Sequence, residues 1–287
     1  MDDEFVIQMD DTPPFSWIKQ TPNRFMTCSV GRKLARLCVN ASGSAFEIGQ
    51  MAKDILGADN IDVSDVFSIS SDCAPLVISY SGQLKEAIKA VESSETKGIA
   101  ISSGGMIKNT ARSKSWDYIS LPKGYSGRFL FPEIFGCLLS LKGKTVNVSN
   151  FESFTDSNLP SEISENNVSK LLALALSKGQ ATVIYGNGSY GLAKRYKTLF
   201  LLNSGTDIDI MSADQYLKNY IGNVKGRQVI SFIDDPRITS VVRIGDFPYD
   251  NTTLEGYVKN ELVGELASLY FGLIEAFEIE LFDTTIE

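Results

Sequence analysis

The sequence predicts an α/β protein with two related, doubly wound domains, each a parallel sheet between two layers of helices (three-layer α/β/α). Three observations predict this fold class. Short apolar runs alternate with amphipathic helical patterns, and Gly/Ser-rich loops follow several of the apolar runs. One strand–loop–helix pattern also recurs, because Gly188–Ser189 lies 145 residues after Gly43–Ser44. A chain of 287 residues can hold two domains of ordinary size, which we predict over residues 1–150 and 151–287.

The first half of the chain alternates predicted strands with predicted helices. The strands are apolar runs that end in turn-forming residues: Leu37–Asn40, Leu76–Tyr80, Gly98–Ile101 and Trp116–Leu121. The helices are Ala45–Leu56, a segment with Leu84, Ala87, Ile88 and Val91 on one face, and Phe129–Leu141, in which Pro132 fits only the first turn. Strands joined by helices predict a parallel sheet. Ligands of such sheets bind at the carboxyl ends of the strands.

The second half follows a polar segment over residues 147–167, which predicts a crossing between the domains. The elements predicted after it are the helix Val168–Ser177, the strand Ala181–Tyr185, the loop Gly186–Ser189, a helix through Leu201, the strands Gln228–Ile233 and Ser240–Ile244, and the helix Leu262–Phe277. The last helix is apolar over much of its surface. We therefore expect it to pack between the domains or against a second subunit.

Charge and hydropathy exclude several classes of partner. The net charge of −8 argues against nucleic acids and anionic membranes, because a phosphate backbone binds to a basic face. No apolar run approaches the roughly 20 residues that cross a bilayer. The acidic start, Met1–Glu4, lacks the basic and apolar regions of a signal peptide. We therefore expect a cytoplasmic protein.

The chain contains no histidine and four cysteines. The absence of histidine excludes Ser-His-Asp and Cys-His catalysis, histidine zinc sites and imidazole as a general base. The cysteines form no CxxC pair and are far apart in sequence: Cys28, Cys38, Cys73 and Cys137. Three of them lie in apolar surroundings, which favours buried thiols in a reducing cytoplasm over a disulfide framework.

Gly/Ser-rich loops follow three neighbouring predicted strands. A single such loop is usually a turn, because glycine accepts positive φ and serine caps the next helix. Several of them at adjacent strand ends would instead form a neutral cradle of amides and hydroxyls that suits a phosphate. The loop Ser79–Gly82 is the strongest candidate of the three, because it presents two serine hydroxyls and a glycine that allows close approach of the backbone. Arg128 lies at the start of a predicted helix, where the helix macrodipole favours acidic rather than basic side chains. Two interpretations of Arg128 therefore stay open: it contacts a ligand, or it is a solvated surface arginine.

These residues resemble a known family. The segments Ser79–Gly82, Ser103–Gly105 and Pro122–Arg128 occur in the order and spacing of sugar-isomerase (SIS) domains. The bifunctional phosphoglucose/phosphomannose isomerases of archaea and some bacteria are the most similar group. Val183–Gly186 and Ala193–Thr198 resemble that family's second domain, so the resemblance covers nearly the whole chain.

The resemblance implies two SIS domains in each subunit, a homodimer, and aldose–ketose isomerisation of hexose 6-phosphates without a metal or cofactor. The residues that it assigns to the phosphate are Gly43, Ser44, Ser79, Ser81 and Gly82. Carried over in the same way, Arg128 lies near the reacting carbons and is the catalytic candidate.

The sequence departs from the family pattern at the catalytic positions. Leu84 replaces a phosphate-binding threonine, Leu202 matches the family's proton-transferring glutamate, and Leu217 lies near its ring-opening histidine. The family's C-terminal lysine would lie beyond Glu287. A leucine cannot accept a proton from a C–H bond. The candidate replacement bases are Asp207, Asp209 and Asp214, for which solvated loop carboxylates are the favoured alternative.

Three functions remain open at this point. The first is a divergent hexose-phosphate isomerase with a relocated carboxylate. The second is a sugar-phosphate sensor or regulatory binding protein that has lost the chemistry. The third is the aminosugar-phosphate isomerase half of an amidotransferase. The absence of a nucleophilic cysteine after Met1 counts against the glutaminase part of that enzyme.

Overall fold

The computed structural model describes residues 9–31, 34–70, 72–149, 151–162, 167–219, 226–238 and 241–275. These residues form two compact units. We name residues 24–146 the first unit, and residues 9–23 together with 147–275 the second unit. The domain boundary near residue 150 stays a prediction.

Strands and helices alternate in both units. The strands are β1 Leu37–Ala41, β2 Ile61–Ser64, β3 Ala74–Ile78, β4 Ile99–Ser102, β5 Asp117–Ser120, β6 Gln180–Tyr185, β7 Asp209–Ser212 and β8 Arg227–Ser231. The helices are α1 Phe15–Lys19, α2 Thr21–Arg24, α3 Ser44–Leu56, α4 Lys85–Ser93, α5 Gly105–Ser113, α6 Phe131–Leu141, α7 Phe151–Asp156, α8 Val168–Leu176, α9 Tyr190–Ser204, α10 Ala213–Asn219 and α11 Leu254–Ile274. A 3-10 turn over Gly127–Phe129 precedes α6.

The first unit has a five-stranded parallel sheet in the order β2-β1-β3-β4-β5. The chain moves from β1 to β2 in one direction and from β3 to β5 in the other. Right-handed crossovers therefore place α3 on one face and α4 and α5 on the opposite face. Val77 and Ala100 pack into the cluster formed by α4 and α5, whereas Gly49 of α3 approaches the side chains of Val39 and Val63. This arrangement confirms the predicted three-layer α/β/α class.

The second unit has a three-stranded parallel sheet in the order β7-β6-β8. This order repeats that of β2-β1-β3, with β6, β7 and β8 in the places of β1, β2 and β3. A parallel bridge between Val229 and Val241 adds one residue pair beside β8, where β4 lies beside β3 in the first unit. The strand–loop–helix repeat read from Gly43 and Gly188 is therefore a repeat of sheet topology.

Most predicted elements agree with the structure, and the exceptions are informative. Residues 241–244 form two isolated bridges rather than the predicted strand, and Ser240 lies outside the described residues. The last helix begins at Leu254, eight residues before the predicted start. The early turns contain buried polar residues, Asn260 and Glu261, which interrupt the apolar pattern. This helix, α11, packs on α8 and α9 of its own unit. Packing against a second subunit stays a prediction.

The prediction of free thiols is wrong. Cys28 pairs with Cys137 and Cys38 pairs with Cys73, with Cα–Cα distances of 5.0 and 5.7 Å. Tertiary structure brings the partners together, because β1–β3 register places Cys38 opposite Pro75 and Gly136 of α6 lies against the backbone of Met26. Disulfides occur in oxidising compartments and also in intracellular proteins of hyperthermophiles, so a cytoplasmic location stays a prediction.

Across the described ranges, no helix is both long enough and apolar enough to cross a membrane.

Candidate functional site

The predicted phosphate residues follow the carboxyl ends of two adjacent strands in the first unit. Ala41 at the end of β1 pairs in register with Ile78 at the end of β3. Ser79 follows Ile78 directly, and Ser44 is the first residue of α3, after Gly43 with φ of 56°. Because β1 and β3 are parallel neighbours, the loops that contain Ser44 and Ser79 leave the sheet at the same edge, the one formed by the carboxyl ends of the strands.

The loops after β3 and β4 are bonded to each other. Ser103 N–H donates to Tyr80 O at 2.8 Å, and Ile107 N–H donates to Gly82 O at 3.0 Å. Gly82 has φ of 68°, and a Cβ atom there would overlap the carbonyl oxygen of Gly104. Glycine is therefore required at position 82 for both its backbone conformation and the close approach of the two loops.

The serine hydroxyls at this edge fall into two groups. Ser102 Oγ donates to Gly104 O within the loop after β4, and Ser103 Oγ donates to Tyr80 O in the loop after β3, both at 2.8 Å. Both hydroxyls are therefore committed to the protein, and the Ser103 hydroxyl joins the two loops. Ser81 Oγ accepts a hydrogen bond from Gln83 N–H at 3.3 Å. By contrast, the hydroxyls of Ser44 and Ser79 make no hydrogen bond within the part of the chain that the structure describes. They are uncommitted donors at adjacent strand ends.

Arg128 lies in the 3-10 turn that precedes α6, and it is buried. This turn packs against α3, the helix that begins at Ser44. The preceding loop is attached to the Ser79–Gly82 loop, because Tyr80 Oη donates to Tyr125 O and a Cβ atom on Gly127 would lie 3.6 Å from the Tyr80 ring. The structure thus connects the Arg128 turn to both predicted phosphate loops.

Arg24 holds this loop in place, and the sequence analysis did not identify it. Its Nε donates to Glu133 Oε1 at 2.7 Å, its Nη2 donates to Phe129 O at 2.6 Å, and its guanidinium lies 4.2 Å from the ring centre of Tyr125. Burial raises the pKa of Glu133, and the adjacent guanidinium of Arg24 opposes that shift. The partners are about a hundred residues apart, so no local pattern could have predicted the pair.

Lys123 is a second residue without an assigned role in the sequence analysis. A Cβ atom on Gly104 would lie 3.9 Å from Lys123 Nζ, so the ammonium group sits beside the loop after β4. Lys123 makes no ion pair with any other described residue. Its position within the Pro122–Arg128 motif is the sequence feature that could have identified Lys123 as a candidate site residue.

The candidate replacement bases are surface carboxylates. Asp207 forms an ion pair with Lys197, and Asp209 forms one with Arg227 at 2.8 Å. Both lie at the amino end of β7, and Asp214 is exposed in α10. In the first unit, Glu47 is the buried carboxylate nearest in sequence to Ser44, in the first turn of α3.

The two leucines at the family's functional positions, Leu202 and Leu84, have no side-chain group that can transfer a proton or bind a phosphate. Leu202, at the position matched to the family's glutamate, is an exposed leucine on α9. Leu84 caps α4 through its backbone alone. The described residues contain no group of three or more cysteine, aspartate and glutamate side chains that could hold a metal ion.

Comparisons with known proteins show a partial sequence similarity and a shared fold. No family model matches the chain. A 139-residue segment is 30% identical to a D-glucosamine-6-phosphate 4-epimerase of Sulfolobus acidocaldarius. The match covers 45% of this chain and 44% of that protein. The matched segment therefore spans less than half of this relative's length.

Similar solved structures cover almost the whole chain. The C-terminal domain of a glucosamine-fructose-6-phosphate aminotransferase from Francisella tularensis has a TM-score of 0.61 at 11% identity, over 98% of this chain and 100% of that one. A glucosamine-6-phosphate deaminase from Thermotoga maritima has a TM-score of 0.62 at 11% identity, over 94% and 93%. A tagatose-6-phosphate ketose/aldose isomerase from Escherichia coli has a TM-score of 0.60 at 15% identity, over 96% and 92%. At these identities the likeness shows a shared SIS-type α/β fold.

Proposed function

We propose that this chain, which has the SIS-type fold, binds a hexose 6-phosphate at the carboxyl ends of β1 and β3. Ser44, Ser79 and Ser81 bind the phosphate, together with the backbone at Gly43 and Gly82. Arg128 lies beside the reacting carbons of the sugar. The observation that carries the proposal is the contrast between the bonded hydroxyls of Ser102 and Ser103 and the uncommitted hydroxyls of Ser44 and Ser79.

The local electrostatics suit a dianion although the whole chain is acidic. The thirteen-residue helix α3 begins at Ser44, and a helix N-terminus carries a partial positive charge. The N–H groups of its first two residues, Ser44 and Ala45, have no partner inside the helix, so a phosphate can accept hydrogen bonds from them. Lys123 Nζ adds a full positive charge beside the loop after β4. These three features favour an anion without a dedicated metal.

We expect Ser79→Ala to weaken the binding of fructose 6-phosphate by roughly 10- to 150-fold, because a hydrogen bond to a charged group contributes about 1.5–3 kcal/mol. Isothermal titration calorimetry measures the effect. Ser113→Ala is the matched control, because Ser113 is an exposed serine at the far end of α5. Equal affinities in the two variants would contradict the proposed role of Ser79.

A second candidate function is catalytic, and the identity to a glucosamine-6-phosphate 4-epimerase favours it. In this alternative the same strand-end loops of the first unit support isomerisation or epimerisation of a hexose or hexosamine 6-phosphate. The leucine at position 202 argues against the family's aldose–ketose route, since that route needs a base beside the reacting C–H bond.

We expect fructose 6-phosphate to bind without conversion to an aldose phosphate, because both the family base and the ring-opening histidine are absent. Proton NMR of the sugar phosphate after prolonged incubation with the protein measures conversion. The same experiment with glucosamine 6-phosphate tests the catalytic alternative. A new anomeric signal that grows with protein concentration would establish turnover and would contradict the sensor function.

The homodimer implied by the resemblance stays a prediction.

A further inference from the structure

The second unit contains a cavity of about 560 Å³ at the carboxyl ends of β6 and β8. Cavities of roughly 300–1,000 Å³ hold small-molecule ligands. The sheet order β7-β6-β8 repeats β2-β1-β3, so this edge is the topological counterpart of the edge that carries Ser44 and Ser79. Neither the sequence analysis nor the resemblance assigned a ligand to it.

The cavity wall comes from the corresponding loops of the repeat. Asn187 lies in the loop after β6, directly before the Gly188–Ser189 pair that repeats Gly43–Ser44. Phe232 follows β8 directly, as Ser79 follows β3. Arg243 follows the Val229–Val241 bridge, which stands in the place of the fourth strand. The two strand-end loops are in close contact, because a Cβ atom on Gly186 would lie 2.5 Å from Ile233 Cγ2.

The wall is already ordered by internal hydrogen bonds. Asn251 Nδ2 donates to Phe232 O at 2.8 Å, which ties the 248–252 segment to the end of β8. The buried side chain of Asn260 exchanges two hydrogen bonds of 2.9 Å with the backbone of Tyr249, which ties the same segment to α11. A wall held from both sides needs little rearrangement to bind a ligand.

The polar groups on the wall suggest the ligand's chemistry. Arg243 lines the cavity and makes no ion pair with the rest of the described chain. Hydrogen bonds from Thr252 lower the pKa of Asp250, so this carboxylate is ionised and can accept hydrogen bonds from hydroxyl groups. Asn187 adds an amide, and Phe232 adds an apolar surface. Asp234 also lines the cavity, so the wall carries one guanidinium and two carboxylates. The guanidinium can bind one anionic group and the carboxylates can accept hydrogen bonds from several hydroxyls, which fits a small polyol with a single anionic group.

We propose that the cavity at the ends of β6 and β8 is a second ligand site, which takes a small phosphorylated polyol with its anionic group on Arg243 and its hydroxyls on Asp250 and Asn187. This site lies wholly within the second unit and does not depend on the proposed function of the first. A chain with both sites binds two equivalents of sugar phosphate.

We test the site by calorimetric titration of fructose 6-phosphate into the full chain and its variants at millimolar ligand. Arg243→Ala should weaken one of two binding events by at least about 10-fold, the loss expected for one charge-assisted hydrogen-bonded contact. Arg237→Ala is the matched control, because Arg237 is an exposed arginine of the same segment that pairs with Asp235 outside the cavity wall. It should bind like the unmodified chain.

The variants also separate this site from the first. In Ser79→Ala the remaining binding event should still respond to Arg243→Ala. A single binding event that Ser79→Ala weakens and Arg243→Ala leaves unchanged would overturn the second site while the proposed function stands. A single event with the opposite response would leave the second site and overturn the first. The absence of any binding at millimolar fructose 6-phosphate would overturn both.

Discussion

Replacing Gly82 by alanine is expected to abolish hexose 6-phosphate binding and to lower the free energy of unfolding by about 2–5 kcal/mol, which combines backbone strain of about 1–2 kcal/mol with overpacking of about 1–3 kcal/mol. Gly82 has φ of 68°. A Cβ atom there would overlap Gly104 O and lie 2.9 Å from Ile107 Cγ2. The Ser79–Gly82 loop would have to separate from the loop after β4, which moves the Ser79 hydroxyl away from the α3 N-terminus.

Gly143→Ala is the matched control for this prediction. Gly143 also has positive φ, 74°, in the first unit, but a Cβ atom there would meet nothing within 4 Å. We expect only the backbone strain, about 1–2 kcal/mol, and unchanged binding. Chemical denaturation measures stability, and calorimetry of the folded protein measures binding. Equal stabilities and equal affinities for the two variants would show that the loop contact at Gly82 is unimportant.

Replacing Arg195 by methionine is expected to destabilise the second unit by about 3–5 kcal/mol, because it leaves the buried carboxylate of Glu265 without its cation. Arg195 lies on α9 with no exposed surface. Its Nε donates to Glu261 Oε1 at 3.1 Å, and its Nη2 lies 3.4 Å from Glu265 Oε1, both on the buried face of α11. The guanidinium pairs with the carboxylate of Glu265 and donates a hydrogen bond to Glu261. Urea unfolding at neutral pH measures the loss.

Glu261→Gln is the companion variant, and it should keep or raise the free energy of unfolding at neutral pH, because glutamine needs no proton uptake on folding. Burial, with repulsion from Glu265, raises the pKa of Glu261 to about 8, so the folded protein holds a proton on this side chain at neutral pH. Glutamine resembles the protonated acid and keeps the Arg195–Glu265 pair. A large loss of stability in this variant, equal to that of Arg195→Met, would contradict the assigned charge state.

The same pKa gives the stability of the second unit a defined pH dependence. The folded pKa of Glu261 is about 8, whereas the ordinary value is 4.5. Between these values the folded state binds more protons than the unfolded state, so stability is complete below pH 4.5 and is lost as pH rises through 8. Glu261→Gln removes this slope. An unchanged pH profile in the variant would assign the slope to another group.

The sequence predicted the fold well where local patterns reflect burial. Strands β1, β3 and β6 are apolar runs because both faces of the sheet are covered, and the repeat of Gly43–Ser44 at Gly188–Ser189 marks a true repeat of topology. Strand β2, Ile61–Ser64, was missed because it has only four residues and alternates apolar with polar side chains at the sheet edge. Strand β7 was missed for a similar reason, since it begins with Asp209.

Long-range contacts could not be predicted from local patterns. The Cys38–Cys73 pairing depends on β1–β3 register, and the Arg24–Glu133 pair depends on how α6 packs. The sequence identified the phosphate serines as candidates, but only the structure distinguishes Ser79, whose hydroxyl is uncommitted, from Ser103, whose hydroxyl holds a loop. The cavity beside Arg243 was missed because its wall combines residues from four separated stretches of the chain.

A crystal structure of the protein soaked with fructose 6-phosphate tests the central claim most directly. We expect a phosphate at the carboxyl ends of β1 and β3, with its oxygens within hydrogen-bonding distance of the hydroxyls of Ser44 and Ser79 and of the first N–H groups of α3. A sugar phosphate that leaves both of these hydroxyls without contact would contradict it.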